Sequence, residues 1–123
     1  MNDPALIERL LTNGKTIAVV GLSDDPGRAA FGVSRYMKSQ GYRIIPVNPE
    51  VDSALGEKAY PDLKSIPEPV DFVDVFRRPQ FVPEIVEDAI AAGAPAIWLQ
   101  DGIVHEAAAR RAEAAGLGVV MDT

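Results

Sequence analysis

The stretch Thr16-Ile-Ala-Val-Val-Gly-Leu-Ser23 joins a β-branched apolar run to a glycine turn. A continuous apolar run of this length is typical of a parallel strand that is covered on both faces. The polar loop that follows leads through Gly27 and Arg28 into a helix that we expect to end at Gly41. This strand–loop–helix unit predicts the beginning of a doubly wound α/β fold.

Strand-like and helix-like segments alternate along the rest of the chain. An opening helix begins at Pro4, and later apolar runs predict strands at residues 43–47, 70–76, 96–99 and 118–121, with helices over residues 81–92 and 104–115. A short edge strand is predicted around residues 58–60. Strands separated by helices pair in parallel through right-handed crossovers. The sequence therefore predicts a single α/β domain over residues 1–123, with a mostly parallel sheet of five or six strands and helices on both faces.

The composition excludes several classes of function. The chain has no cysteine, which excludes thiolate chemistry and Cys-based zinc sites, and its single histidine, His105, leaves no usual zinc cluster. No apolar run is long enough to span a membrane and no signal peptide opens the chain, so we expect a cytoplasmic protein. The net charge of −6 disfavours nucleic acid and anionic membranes as partners. An anionic ligand must therefore be held by a local group of donors.

The first two strand ends offer hydrogen-bonding groups, and in such sheets ligands bind beyond the carboxyl ends of the strands. Gly21, Leu22 and Ser23 follow the first strand, and Arg28 begins the next helix, so backbone N–H groups there can hold a phosphate. A plain β–α turn is the alternative. Asn48-Pro49 follows the second strand and lacks the acid that an NAD ribose needs. Its alternative is a turn-forming Asn-Pro pair.

Two arginines stand at the end of the third strand, in the sequence Phe76-Arg77-Arg78-Pro79. Guanidinium groups match phosphate oxygens bidentately, and a cationic pair is unexpected in an acidic chain. The alternative is that they pair with the acids of the next helix, which are Glu84, Glu87 and Asp88. We expect this for at most one of the two.

The fourth strand end, Gln100-Asp-Gly-Ile103, offers an amide side chain and a glycine that permits close approach of a ligand. Trp98 is expected to lie in the core, and His105 to cap or decorate the last helix. No serine or carboxylate can be placed beside His105, so no catalytic residue is predicted. In the second helix Ala29, Ala30, Val33, Tyr36 and Met37 form the expected buried side. Phe31 falls opposite them, and we expect it to cover the apolar part of a ligand rather than join the core.

The four strand ends together resemble a family, the small stand-alone CoA-binding proteins. Their Rossmann-like domain is similar to the N-terminal domain of the succinyl-CoA synthetase α subunit. The matching segments are Ile17-Ala-Val-Val-Gly-Leu-Ser23, Gly41-Tyr-Arg-Ile-Ile-Pro-Val-Asn-Pro49, Ile66-Pro-Glu-Pro-Val-Asp71, Val75-Phe-Arg-Arg-Pro79 and Ile97-Trp-Leu-Gln-Asp-Gly-Ile103. The second domain of the ligase, with its phosphorylated histidine, has no counterpart among these segments, so the resemblance supports binding and supplies no activity.

The resemblance implies that coenzyme A, or an acyl-CoA, is the ligand. It implies that the loop from Gly21 to Ser23, with Arg28, holds the pyrophosphate. It places Asn48, Pro49 and the segment from Phe76 to Pro79 around the adenosine and its 3′-phosphate, and it runs the pantetheine arm past Gln100, Gly102 and Ile103. An NAD(P)-dependent oxidoreductase or another nucleotide-binding enzyme on the same fold is the alternative, and the uncharged Asn48 argues against NAD. No protein partner is predicted.

Overall fold

The computed structural model describes residues 1–123 and has a five-stranded parallel sheet at its centre. The strands in chain order are β1 (Thr16–Val20), β2 (Arg43–Val47), β3 (Ser53–Ala54), β4 (Glu57–Lys58), β5 (Phe72–Val75), β6 (Ala96–Leu99) and β7 (Gly118–Met121). The central sheet has the order β2-β1-β5-β6-β7, and every neighbouring pair in it is parallel. The predicted parallel architecture is therefore confirmed.

Four helices cover the two faces of this sheet: α1 (Pro4–Asn13), α2 (Ala29–Ser39), α3 (Val82–Ala91) and α4 (Glu106–Ala114). Leu6 and Leu10 of α1 and Ala30 of α2 pack in one apolar cluster, on the first face. Buried residues of α3 and α4 pack in a second cluster, on the opposite face. The doubly wound arrangement is confirmed, and none of the helices has the length and apolarity needed to cross a membrane.

The edge beyond β2 differs from the prediction of a strand over residues 58–60. Glu57–Lys58 pairs with Ser53–Ala54 in a small antiparallel hairpin, and Tyr60 makes a single parallel bridge to Val47. The Tyr60 N–H donates to the carbonyl of Pro46 at 3.0 Å. Because N and O of one residue face the same side of a strand, the nitrogen of Pro46 faces this sparsely paired edge, where a missing donor costs little.

Helix α2 buries only part of the expected side, because Ala30 is buried and Met37 packs against the core but the other expected residues are exposed. Ala30 and Ser34 are buried, whereas Val33 is 40% and Tyr36 is 63% exposed. Small residues one turn apart let the helix lie close to the sheet, and this contact decides its rotation. Phe31 lies in the first turn of α2, as predicted, but it is half-buried and packs against the core cluster of this face. Phe31 therefore contacts the core more closely than expected without being fully buried, and its contact with a ligand stays a prediction.

Candidate functional site

The strand order reverses between β1 and β5, so their carboxyl ends flank the point where open α/β sheets bind ligands. Gly21 follows β1 and Phe76 follows β5, and the Phe76 N–H donates to the carbonyl of Val20 at 2.9 Å. Gly21 has a φ of +94°, and a Cβ there would lie 2.5 Å from the carbonyl oxygen of Phe76. Only glycine fits this crossing of the two chain segments.

The loop between β1 and α2 is ordered by its own side chains. The Asp25 N–H donates to Ser23 Oγ at 3.2 Å, and the Gly27 N–H donates to Asp25 Oδ1 at 2.9 Å. The backbone N–H groups of Ser23, Ala29 and Ala30 have no acceptor within the protein. Free amides at the first turn of a helix, together with its dipole, favour an anion.

Two predicted residues of this loop contribute less than expected through their side chains. The side chain of Leu22 is fully buried in the core, so only its backbone can take part in a ligand site. Arg28 is the N-cap residue of α2 and is exposed. Its Nε lies 3.9 Å from Asp25 Oδ2, a loose ion pair at the protein surface that contributes little to stability.

Asn48 holds the two neighbouring loops together. Its Nδ2 donates to the carbonyl of Leu22 at 3.3 Å, and its Oδ1 accepts from the Glu50 N–H at 2.9 Å. The turn-forming role that the sequence offered as an alternative is therefore present. The side chain also fixes the β1–α2 loop against the end of β2, next to the exposed Pro49.

A cleft of about 240 Å³ opens beside β1 and β2, on the face that α3 covers. Its apolar lining consists of Val20, Val47, Pro49, Pro61, Leu63, Phe81 and Ile85. Arg77 enters this cleft and lies over the ring of Phe81, with its guanidinium carbon 4.2 Å from the ring centroid. Its aliphatic stem passes next to Gly21. The guanidinium thus lies over the Phe81 ring, and its stem passes the start of the β1–α2 loop.

The two arginines differ in their surroundings, and neither forms an ion pair. Arg77 is half-buried in the cleft, whereas Arg78 is exposed and precedes a 3₁₀ turn that begins at Pro79. Glu87, an acid that could have paired with them, binds Arg111 instead, with Oε2 2.9 Å from its Nε. The alternative that the following helix neutralises the pair is therefore wrong.

Three carboxylates line the same cleft, which gives it an acidic wall. Asp62 Oδ1 accepts from the Ser65 hydroxyl at 2.6 Å, and this hydrogen bond lowers the pKa of Asp62. Partial burial raises the pKa of Asp88, and the neighbouring charge of Glu84 adds to the rise. A ligand inside the cleft therefore meets acceptors on this side and a cation on the other.

A buried carboxylate lies under the end of the sheet on the opposite face. Asp74 is the third residue of β5 and is 5% exposed. Gln100 Nε2 donates to Asp74 Oδ1. Burial raises the pKa of Asp74 to about 7, while the hydrogen bond from Gln100 counteracts this effect. Gln100 itself is half-exposed, at the predicted fourth strand end.

The loop after Gln100 leads into α4. The Gly102 N–H donates to Asp122 Oδ1 at 2.6 Å, and Ile103 is half-buried against the core. His105 is the N-cap of α4, where its Nδ1 accepts from the Ala108 N–H at 3.1 Å. Trp98 is buried in the sheet. The predictions for His105 and Trp98 are confirmed.

A sequence profile described as a CoA binding domain matches residues 15–123, which is most of the chain. This chain belongs to the CoA binding domain family. The Bacillus subtilis protein YneT is 47% identical to it over 96% of this chain and 87% of its own length. A solved structure from Thermus thermophilus superimposes with a TM-score of 0.92 at 40% identity, covering 99% of this chain and 92% of the other. The predicted family and fold are therefore confirmed.

The CoA binding domain also matches parts of much longer enzymes. The acetate–CoA ligase (ADP-forming) II of Archaeoglobus fulgidus is 33% identical over 64% of this chain, but the match covers only 12% of the ligase. In this CoA binding domain, Pro49 and Arg77 line the cleft, Gly21 lies against the Arg77 side chain, and Asn48 contacts the β1–α2 loop. Phe31, Phe76 and Gln100 lie on the other face of the sheet end. Arg78 is at the surface.

The sequence reading missed Asp74 and Asp62, and it considered Glu84 and Asp88 only as ion-pair partners of the two arginines. Asp74 had a signal, because a charged residue between Val73 and Val75 in a central strand has to be buried. Asp62 had none, since it lies in a turn, and the sequence did not show that Glu84 and Asp88 of α3 line a cleft. Only the tertiary structure brings those segments against β1 and β2.

Proposed function

We propose that this CoA binding domain protein binds coenzyme A or an acyl-CoA at the carboxyl ends of β1 and β5, and that it has no catalytic activity of its own. The whole chain, residues 1–123, forms the binding domain. Support comes from the family membership and from one observation above all, the unpaired Arg77 beside free backbone amides at the reversal of strand order. The ligase relative shares too small a part of its length to transfer an activity.

The pyrophosphate lies on the loop between β1 and α2. The free N–H groups of Ser23, Ala29 and Ala30 supply donors there, and Gly21 lets the chain approach closely. Arg28, exposed at the same helix start, adds a positive charge that can swing toward the ligand. These donors overcome the unfavourable net charge of −6 locally.

The adenosine occupies the cleft beside β1 and β2. Flat apolar surface from Pro49 and Phe81 suits a base, and the acidic wall suits the donors of its amino group and of the ribose. A phosphate deep in that cleft would meet the carboxylates of Glu84 and Asp88. The 3′-phosphate therefore stays at the mouth of the cleft, where Arg77 provides a guanidinium that no carboxylate neutralises.

The pantetheine arm leaves along the ends of β5 and β6. Gln100 offers an amide there, and Gly102, with a φ of +82°, leaves open space for the arm. Phe31 and Phe76, both half-buried on this face, supply apolar contacts. Ile103 packs against the core and anchors the loop that follows Gln100.

Calorimetric titration with CoA, dephospho-CoA, NAD and NADP tests this function. CoA is expected to bind at least tenfold more tightly than NAD, because Asn48 offers no carboxylate to the NAD ribose. Arg77→Ala should weaken CoA by about 1.5–3 kcal/mol, which is the contribution of a charge-assisted contact, and should leave dephospho-CoA nearly unchanged. Arg78→Ala should have a smaller effect, because that side chain is exposed.

The matched control is Arg9→Ala, because Arg9 is exposed on α1 beside Asn13 and Asp71, at the amino ends of the strands. All titrations use one salt concentration, since screening weakens phosphate contacts. Equal losses of CoA and dephospho-CoA in Arg77→Ala would assign the arginine to the pyrophosphate. Absence of CoA binding to the unmodified protein, or equal affinity for NAD, would refute the function.

A further inference from the structure

Asp74 is the charged residue inside the central sheet, and its surroundings give it no counter-charge. Its neighbours in register on the adjoining strands are Val19 and Trp98, and neither can titrate. The residues that α2 buries on this face are Ala30 and Ser34. A buried carboxylate without a cation costs stability unless its hydrogen bonds compensate.

The charged groups near this end of the sheet are exposed, whereas Asp74 is buried. Asp101 and Asp122 follow β6 and β7, Arg28 caps α2 and Arg35 lies within it, and all four are exposed. Arg77 leaves β5 on the other face, where it stacks on Phe81. The charge of Asp74 is therefore stabilised only by neutral hydrogen-bonding groups, the Gln100 side chain and the Val75 backbone.

Gln100 is the side chain that hydrogen-bonds Asp74. An ionised carboxylate can only accept hydrogen bonds, so it holds the NH₂ end of the Gln100 amide toward itself. The other end of the amide, Oε1, has no partner within the protein and is accessible, because Gln100 is half-exposed and this oxygen is not among the buried unpaired atoms. The pair thus presents a fixed acceptor at the end of β6.

We propose, on the basis of the CoA function proposed above, that Asp74 is a positioning residue that orients Gln100 so that Oε1 accepts a hydrogen bond from an amide N–H of the pantetheine arm. The arm carries two amides, and an acceptor of fixed direction recognises their N–H groups. If the Gln100 amide could rotate freely, it would present its NH₂ group as often as its oxygen. It would then discriminate less well in favour of a ligand N–H.

Protonation of Asp74 reverses this recognition. A protonated carboxyl can donate its O–H to Oε1, which leaves the Gln100 NH₂ facing a ligand N–H. Because burial raises the pKa of Asp74 to about 7, this change falls in the neutral range. Binding through the pantetheine arm should weaken as the pH falls from 8 to 5.5.

Calorimetric titration of dephospho-CoA against the intact protein at pH 8 and pH 5.5 tests the proposal, because this ligand lacks the titrating 3′-phosphate. The affinity should fall about tenfold at the lower pH, the effect of losing one hydrogen bond. Asp74→Asn keeps the shape but offers Gln100 both a donor and an acceptor, so the direction of the Gln100 amide is no longer fixed. This variant should bind about tenfold more weakly at pH 8 and show little pH dependence. Gln100→Met removes the acceptor, so its affinity for dephospho-CoA at pH 8 should be as low as that of Asp74→Asn.

Adenosine 3′,5′-bisphosphate, which has no pantetheine arm, separates this proposal from the function on which it rests. Both variants should bind it within about twofold of the unmodified protein at pH 8. Equal losses for both ligands, or no loss of dephospho-CoA in either variant, would overturn the positioning role while the CoA function stands. Failure of every ligand to bind the unmodified protein would overturn both.

Discussion

Replacing Asp74 with Asn is expected to make the folded protein more stable at pH 8 and not at pH 4.5. Asp74 is buried, and burial raises its pKa from the ordinary 3.8 to about 7. In the unfolded chain the carboxyl ionises near the ordinary value. Between these two values the folded state holds a proton that the unfolded state has released. Stability from this group therefore falls as the pH rises through that range, and the full cost is present above pH 7.

The size of the effect follows from this difference. A change from 3.8 to about 7 corresponds to a cost of about 4 kcal/mol for keeping the carboxylate ionised in the fold. Asparagine can hydrogen-bond Gln100 through either its oxygen or its NH₂ group, but an unsatisfied buried donor costs about 1–3 kcal/mol. The variant should therefore be more stable than the unmodified protein by about 1–3 kcal/mol at pH 8. At pH 4.5 it should be equal or less stable.

Urea denaturation of both proteins at pH 4.5 and pH 8 measures this difference in the free energy of unfolding. Asp52→Asn is the matched control, because Asp52 is exposed and its side chain makes no hydrogen bond. That variant should follow the unmodified protein within about 0.5 kcal/mol at both pH values. A destabilisation by Asp74→Asn of similar size at both pH values would refute the reasoning, because it would mean that hydrogen bonds to the carboxylate outweigh the cost of burying it.

Two further substitutions test the surroundings of the site. Phe31→Ala should weaken CoA binding in calorimetry. Because this ring is half-buried, the free energy of unfolding in urea should fall by less than the roughly 3–5 kcal/mol that a fully buried Phe contributes. Unchanged CoA affinity would show that Phe31 is not part of the site. His105→Ala should lower the free energy of unfolding by about 1 kcal/mol, since the Ala108 N–H loses its acceptor. His105→Asn should recover most of that loss, and an equal loss in both variants would contradict the capping role.

The parallel sheet could be predicted because each central strand is a short apolar run between turn residues. The run from Thr16 to Val20 has buried side chains on both faces of the sheet, as the sequence indicates. The rotation of α2 could not be predicted in the same way. Its apolar residues do not decide the contact, because Ala30 and Ser34 allow the closest approach and leave Tyr36 outside. The hairpin beyond β2 is too short to carry a pattern.

For the site as well, the backbone positions could be predicted and the side-chain contacts could not. The predicted strand ends do converge on one edge, since parallel strands end together, but their side chains do not all face one crevice. The sequence could not separate Arg77 from Arg78, because the difference arises from stacking on Phe81, a residue of the following turn. It indicated that Asn48 could form a turn, but not that Asn48 Nδ2 also donates to the carbonyl of Leu22 in the β1–α2 loop.

The alternation of side chains along β5 has a consequence for how a long ligand would lie. Successive residues of a strand face opposite sides of the sheet, so Asp74 and Phe76 lie on the α1 and α2 side, and Arg77 lies on the α3 side. A CoA whose 3′-phosphate meets Arg77 and whose arm meets Gln100 must cross the end of β5. It would cross next to Gly21, where the chain has no side chain and the two segments touch. In the proposed complex, the end of β5 would separate the charged half of the ligand from its amide half. The two halves would then meet groups of opposite hydrogen-bonding character, a donor in Arg77 and an acceptor in Gln100.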